Sequence, residues 1–558
     1  MDKALPPATL VQFIDRNISR PGLVGGIILF SLSLTPSLLP RTPLIQGLLS
    51  GTTFAFGYAI GVSLQWIWDY IELGRPLGRF SRPFGFVVAL LCVALAAVCL
   101  IEMVPWQNSV RAAMGMQPVT AGHPIFVVLV ALLPAAVLIT IGTLLVHSAQ
   151  AVARRMKSFL PRRVALLLGI TLVGTVTAVV FNGVLLRSAL VAADRFFQQL
   201  DSVSGQFGDP PANPVQSGSS ASLVAWNTIG HDGRVYVESG PTQADIAALI
   251  GRPAQQPLRV YVGLRSAPTL KERAELALQE MERVGAWDKS VLVVIMPVGT
   301  GWVDPASINS LEYLMAGDVA SVALQYSYLT SPLSLVVQPE YGTDAAQALF
   351  SAVYQHWTQL PRDSRPRLYL NGLSLGANSS QASSQILDMF PDPYDGALWA
   401  GPPFTSSIWR YATQNRDPGS PEWRPRFGND ATIRFANRGA EFAQPDTPWG
   451  PLRIAFLQYP SDPIVFFDWS SFHRAPDWMT PPRGPGVSPA LTWYPVVTWL
   501  QLGMDMALAQ TSPIGYGHNY AIDDYIDAWR ALVDPPGWDD AAIAQLKSRI
   551  VSDTGVKP

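Results

Sequence analysis

The chain has 558 residues, a formal net charge of −2 and a charged fraction of 14%, well below the roughly 25% usual for soluble proteins. No basic nucleic-acid-binding face appears in so near-neutral a sequence, and so little charge argues against a protein exposed to water throughout. Two cysteines in all exclude a scaffold built on disulfides.

Five apolar stretches open the chain, at 21–40, 44–70, 84–105, 124–148 and 163–186. Each is about long enough to cross a hydrocarbon core, which takes roughly 20 residues of helix, so about five transmembrane helices are expected. The first, PGLVGGIILFSLSLTPSLLP, is the shortest, and Pro36 and Pro40 end or kink it. A cleaved signal peptide is not expected, because the apolar run starts late, no A-x-A site follows it and more spans succeed it.

Basic and poor connections alternate. Lys3, Arg16 and Arg20 precede the first stretch, and Arg41 alone follows it. Next come Arg75, Arg79 and Arg82, then Arg111 alone, then Arg154, Arg155, Lys157, Arg162 and Arg163. Basic loops stay in the cytoplasm, which predicts a cytoplasmic N-terminus and an extracytoplasmic chain beyond about residue 187. Trp66, Trp68 and Tyr70 at one boundary and Trp106 at the other suit the two interfaces. Cys92 and Cys99, seven apart inside the third stretch, read as packing residues. Backbone freed by the prolines of PSLLPR needs shielding by protein, and Arg41 beside it is expected to meet an anionic headgroup.

The Gly-, Pro- and Ser-rich text between 192 and 227 reads as a linker, so the expected organisation is a transmembrane domain (1–191), a linker (192–227) and a globular domain (228–558). In the globular part, short apolar runs alternate with helical patterns. LRVYVGL precedes a helix over TLKERAELALQEMERVG, VLVVIMPVG and VASVALQYSYL follow, and a helix over TDAAQALFSAVYQHW leads to PRLYLNGLSLG. Near-continuous apolar strands with helices between them predict a mostly parallel α/β sheet.

NGLSLGANSS places Ser374 in a G-x-S-x-G pattern between that last strand and a following helix, the order of a nucleophile elbow. The sharp turn presents the serine and the amide of Leu375 at the positive end of the helix. A serine needs a base and an orienting acid. Of six histidines only His473 and His518 follow it, and His518, in the Gly-rich GYGHNY loop before a C-terminal helix, is the expected base. Asp462, just after the apolar strand beginning at Arg453, is the expected acid. Asp468 is its rival, and Asp304 precedes the serine. The second oxyanion donor is expected from Thr300 or Gly301 in MPVGTGWVDP. No metal cluster or phosphate-binding loop is present in the sequence, so neither metal nor cofactor is expected. The Trp-, Met- and Pro-rich segment 470–510 reads as an apolar lid or as core.

With these residues in view, the chain resembles a bacterial family of membrane-tethered α/β hydrolases, in which a multi-span N-terminal domain is joined to an α/β-hydrolase domain. The likeness rests on SLTPSLLPRTPLIQGLLSG, GYAIGVSL, GLSLGA, WAGPPFTSSIWRYATQNRDPGSPEWRP, QYPSDPIVFF, WYPVVTWLQLGMDM and GYGHNY. It implies nucleophile, acid and base at Ser374, Asp462 and His518. Leu373 departs from the acidic residue expected before the serine. The expected function is a membrane-anchored serine hydrolase acting on lipid or acyl-ester substrates at the outer face of the bilayer, by hydrolysis or acyl transfer. The alternative is a transporter or membrane scaffold with a vestigial hydrolase domain. Against it, the main ionisable residues in the spans, Glu102 and His147, lie near span ends.

Overall fold

A computed structural model describes residues 19–72, 81–186, 188, 209–329, 339–383, 392–444 and 446–554. Lys3, Arg16, Arg75, Arg79 and the first half of the expected linker lie outside them. The chain forms two compact units. One comprises Met1–Leu186 with Phe467–Met479 and Gly486–Leu508, and the other Arg187–Phe466, Thr480–Pro485 and Ala509–Pro558.

In the first unit the helices are α1 (Arg20–Ser33), α2 (Pro43–Tyr70), α3 (Ser81–Ala113), α4 (Pro124–Met156) and α5 (Arg162–Val179), the last continuing in π-helical turns over Val180–Leu186. Four of the five expected stretches make helices long and apolar enough to cross a membrane. The first does not. Helix α1 has 14 residues, about 21 Å at 1.5 Å each, short of a core of about 30 Å. It stops at Ser33 because the next residues carry Pro36 and Pro40. Helices α1 and α2 touch through glycine, since a Cβ on Gly25 would strike Gly57 and one on Gly61 would strike Pro21. Missing side chains let two backbones approach closely where lipid offers no hydrophobic drive. Outward faces of the longer helices are apolar. Phe86, Ile101 and Ile125 are each more than 70% exposed, which suits hydrocarbon and not water. Cys99 packs with Phe30, Leu34, Met103 and Val127, and both cysteines are free.

The loop between α1 and α2 corrects one expectation. Arg41 is buried. Its amide donates to Gln107 Oε1 (2.8 Å) and its Nη2 to the Thr35 carbonyl (3.0 Å), so the side chain turns into the protein. Gln46 Nε2 donates to the Ser33 carbonyl (2.9 Å), and the carbonyls freed at the helix end are thereby shielded by protein, as a lipid setting demands.

The second unit is built on a seven-stranded parallel sheet, with strands β1 (Leu258–Val262), β2 (Val291–Met296), β3 (Val319–Leu324), β4 (Arg367–Leu373), β5 (Gly396–Ala400), β6 (Ile433–Ala436) and β7 (Arg453–Leu457). Their order is β1-β3-β2-β4-β5-β7-β6. The expected sheet flanked by helices is therefore present, with β4 at its centre. Strands β1, β2, β3 and β5 are buried along their whole length, which explains why the first three read as largely apolar runs. The helix Leu270–Val284 starts on a reciprocal Thr269–Glu272 cap and ends at Gly285 with φ +75°, two chemical stops legible in the sequence. Residues 209–227 are packed onto this unit. Glu280 accepts from Ser222 Oγ (2.6 Å) and the Leu223 amide (2.9 Å), and Ser217 Oγ accepts from the Tyr261 amide (3.2 Å).

Candidate active site

Ser374 links β4 to the helix Leu375–Ser383 at φ +56°, a left-handed backbone that a non-glycine residue holds only when its surroundings enforce it. The enforcement is visible. Its amide donates to the Ala400 carbonyl at the end of β5 (3.0 Å), and its carbonyl accepts from Asn378 (3.1 Å). A Cβ on Gly372 would strike the Gly376–Ala377 peptide, and one on Gly376 would strike the Met296 carbonyl. Both flanking glycines are thus required by close backbone approach.

Asp462 lies after β7 and is wholly buried. Its Oδ1 accepts from the Ile464 amide (2.9 Å), while its Oδ2 accepts from His518 Nδ1 (2.7 Å) and from the Tyr520 hydroxyl (2.7 Å). His518 is fixed by its own amide, which donates to the Ala509 carbonyl (3.0 Å), and the preceding Gly517 amide donates to Ser461 Oγ (2.9 Å). Its Nε2 is buried and has no hydrogen-bond partner among the described residues, so Ser374 and His518 are not hydrogen-bonded here. Base–nucleophile bonds often tighten only when substrate arrives. One dipeptide brings the two together. Ala400 holds the Ser374 amide, and a Cβ on the next residue, Gly401, would lie 2.6 Å from His518 Cε1.

Leu375 begins the helix behind the serine, with its amide at the positive end of the dipole. The loop after β2 touches the elbow through Met296 and Pro297. Within it the Gly301 amide donates to the Val298 carbonyl (2.8 Å), and Tyr261 Oη donates to the Gly301 carbonyl (2.8 Å). Thr300 gives its hydroxyl to Asp232 and its carbonyl to Gln325 Nε2 (2.9 Å). Among the described residues no partner takes the Thr300 amide. Asp468 caps the short turn Trp469–Phe472, and it and His473 belong to the first unit, whereas Ser374, Asp462 and His518 belong to the second.

A family model described as the α/β-hydrolase family matches residues 258–546, and the model of that family's N-terminus matches residues 34–241. The chain belongs to this α/β-hydrolase family. No curated protein and no solved structure matches it. The N-terminal model runs from the loop after α1, through the membrane-length helices, into the packed 209–241 segment.

Two residues of this α/β hydrolase escaped the sequence reading. Tyr520 gives Asp462 a third donor, its hydroxyl, and stands edge-on to the His518 ring (5.8 Å, 82°). Burial, then the Asp462 charge, pushes its hydroxyl well above the ordinary tyrosine range, so it stays a donor. Tyr459 stacks beneath it (4.5 Å, 16°). Gly401, at φ +50°, leaves the space in which the imidazole sits. Gly401→Ala adds both backbone strain and a methyl pressed on the ring, and is expected to lower kcat about 100-fold, the scale of a small displacement of a catalytic group. Unchanged kcat in a folded Gly401→Ala variant would show that the imidazole has room to spare.

Asp304, the carboxylate that precedes the serine, caps the helix Pro305–Leu314 and accepts from the Ala306 amide (2.9 Å) and Tyr525 Oη (2.9 Å). Burial, offset in part by these two donors and by His518, pushes its carboxyl up to about 6 from 3.8. A carboxyl whose folded value lies above its unfolded value weakens the fold as pH rises from about 4 through 6, because only the unfolded chain releases the proton freely. Above that window the cost is about 2 kcal/mol, reduced from the full equivalent of the shift because the residue keeps some contact with solvent. Asp304→Asn retains the cap and loses the charge. Its melting temperature should exceed that of the parent at pH 7.5 and match it below pH 4, and an equal offset at both pH values would sink this account.

Proposed function

We propose that this α/β hydrolase is a serine hydrolase of a bacterial plasma membrane, acting on the ester bond of a lipid or other acyl ester at the outer face. The observation that carries the reading is the buried Asp462–His518 pair at 2.7 Å, with His518 Nε2 left without a partner beside the peptide that holds the Ser374 amide. In this scheme His518 Nε2 takes the Ser374 Oγ proton as that oxygen attacks the ester carbonyl. Asp462 holds the Nδ1–H tautomer and supports the imidazolium, while the Leu375 amide and that of Thr300, rather than the engaged Gly301, face the oxyanion. The carbon–oxygen bond to the alcohol breaks, the alcohol leaves with the proton from His518, and Ser374 carries the acyl group. Water then gives hydrolysis, and a second alcohol gives transfer.

The outer placement follows from the basic loops. With 71–82 and 154–163 on the cytoplasmic side, the chain leaves α5 on the outer side whether or not α1 crosses, so the short first helix changes only the side of the N-terminal arm. The test is a paired one. The full chain in detergent micelles should hydrolyse p-nitrophenyl butyrate in a manner abolished by a fluorophosphonate, and alkaline phosphatase should be active when fused after Arg187 but not after Arg155. Turnover that resists the fluorophosphonate would remove serine chemistry, and the reverse fusion pattern would put the reaction in the cytoplasm.

A further inference from the structure

Within the second unit, the loop after β2 is tied down at Thr300 and Gly301 by three side chains, none of them part of the triad. The Thr300 hydroxyl donates to Asp232 Oδ2 and its carbonyl accepts from Gln325 Nε2 (2.9 Å), while the Gly301 carbonyl accepts from Tyr261 Oη (2.8 Å). Gln325 and Tyr261 are buried parts of the sheet. Tyr261 lies on β1, and the Gln325 amide carries the pairing of β3 one residue further by donating to the Val262 carbonyl (2.9 Å). Asp232 is different. It sits in the first turn of the helix His231–Glu238, well before β1, in the stretch that the family's N-terminus includes. Its neighbour Gly233 bears on the same loop through Tyr261, because a Cβ there would strike the ring whose hydroxyl holds Gly301. Two consecutive residues of this short helix thus serve two consecutive residues of the loop. Gly301, at φ +95°, likewise leaves no room for a Cβ against the Tyr261 hydroxyl.

A carboxylate is a costly neighbour for a loop that is to stabilise negative charge, and packing alone does not call for one. What it adds is direction. An oxyanion donor is effective when its N–H points at the oxygen before charge develops, since a loop that must reorganise gives back what it gains. With its hydroxyl on Asp232 and its carbonyl on Gln325, Thr300 is held through both side chain and backbone, and its amide, which no described residue takes, is held with them. We propose that Asp232 is a positioning residue for the oxyanion hole: by accepting the Thr300 hydroxyl it aims the Thr300 amide at the carbonyl oxygen of the ester attacked by Ser374. The helix that precedes the sheet then completes the catalytic centre, and a chain that began at β1 would lack this support. The inference rests on the serine-hydrolase reading above.

The test uses the full chain in detergent micelles, with kcat and KM for p-nitrophenyl butyrate, the inhibition constant of a butyl trifluoromethyl ketone and the melting temperature measured together. The ketone reports on the oxyanion hole: Ser374 Oγ adds to its carbonyl carbon, the π pair moves onto the oxygen, and His518 keeps the serine proton. Asp232→Ala and Thr300→Val should each lower kcat and weaken the ketone in parallel, by about 10- to 100-fold, with KM within about twofold of the parent. Combined, they should cost hardly more than either alone, because both remove the same bond. Asp232→Asn keeps an oxygen for the hydroxyl and should return both values to within about threefold. Should Asp232→Ala fail to fold, Thr300→Val, which keeps the shape of the side chain, decides. A melting temperature that falls while kcat and ketone inhibition stay at the parent's values would make Asp232 structural only and overturn the proposal. If the parent shows no turnover that depends on Ser374, the serine-hydrolase reading itself fails, and this inference with it.

Discussion

Ser374→Ala is expected to lower kcat for p-nitrophenyl butyrate by about 10⁶, the loss seen when a serine nucleophile working as one unit with its base is removed. The size follows from what the hydroxyl supplies. Without Oγ there is no acyl-enzyme, and the carbonyl must be attacked by water that nothing here positions. Residual acceleration should remain, because the Leu375 amide and the substrate-binding surface are untouched. Stability should change little. Alanine and serine are similarly strained at φ +56°, and the enforcing contacts are backbone ones, the Ser374 amide to Ala400 and its carbonyl to Asn378. His518→Ala should cost about as much, and the double variant hardly more, since parts of one unit do not add. Turnover of Ser374→Ala within tenfold of the parent would move the chemistry to another residue.

Asp462→Asn is expected to cost about 10⁴ in kcat with the protein still folded. The carboxylate has acceptors only, and three donors converge on it: the Ile464 amide, the Tyr520 hydroxyl and His518 Nδ1. An amide can keep the Ile464 contact through its oxygen, but it then turns an NH₂ toward His518. The imidazole responds by placing its proton on Nε2, the atom that has to accept one from Ser374. The geometry survives and the tautomer is wrong. A loss below about tenfold would mean that Tyr520 or another group holds the tautomer without Asp462.

Much of this candidate site is legible in single strings. Ser374, Asp462 and His518 each sit where local chemistry announces them: a serine between glycines at a strand–helix junction, an aspartate in the turn after an apolar strand, a histidine in a glycine-rich loop. Strands β1 to β4 and β7 were legible because burial on both faces leaves mostly apolar side chains, with single polar residues such as Arg259 and Asn371 among them. The short β5, GALWA, and β6, IRFA, were not, since five and four residues are too few for a periodic signal. Helix α1 was overextended because SLSLTPSLLP stays apolar past Ser33, whereas the prolines and the polar partners Gln46 and Gln501 end the helix there. The 467–508 segment had no one-dimensional mark: WYPVVTWLQLGMDM suits a lid, a core or a membrane-side anchor equally, and the hydrogen bonds of Gln501 to the Thr35 carbonyl and of Asp505 to the Leu38 and Leu39 amides separate them. Tyr520 and Gly401 were missed for the same reason, as each matters through a residue distant in sequence.

The most direct measurement is the location of a covalent adduct. The full chain in detergent micelles, treated with a fluorophosphonate and digested, should carry one phosphonyl group per chain on the peptide containing Ser374, and Asp462→Asn and His518→Ala should slow its formation by orders of magnitude. An adduct on a different serine, or none under conditions that label a known serine esterase completely, would contradict the account.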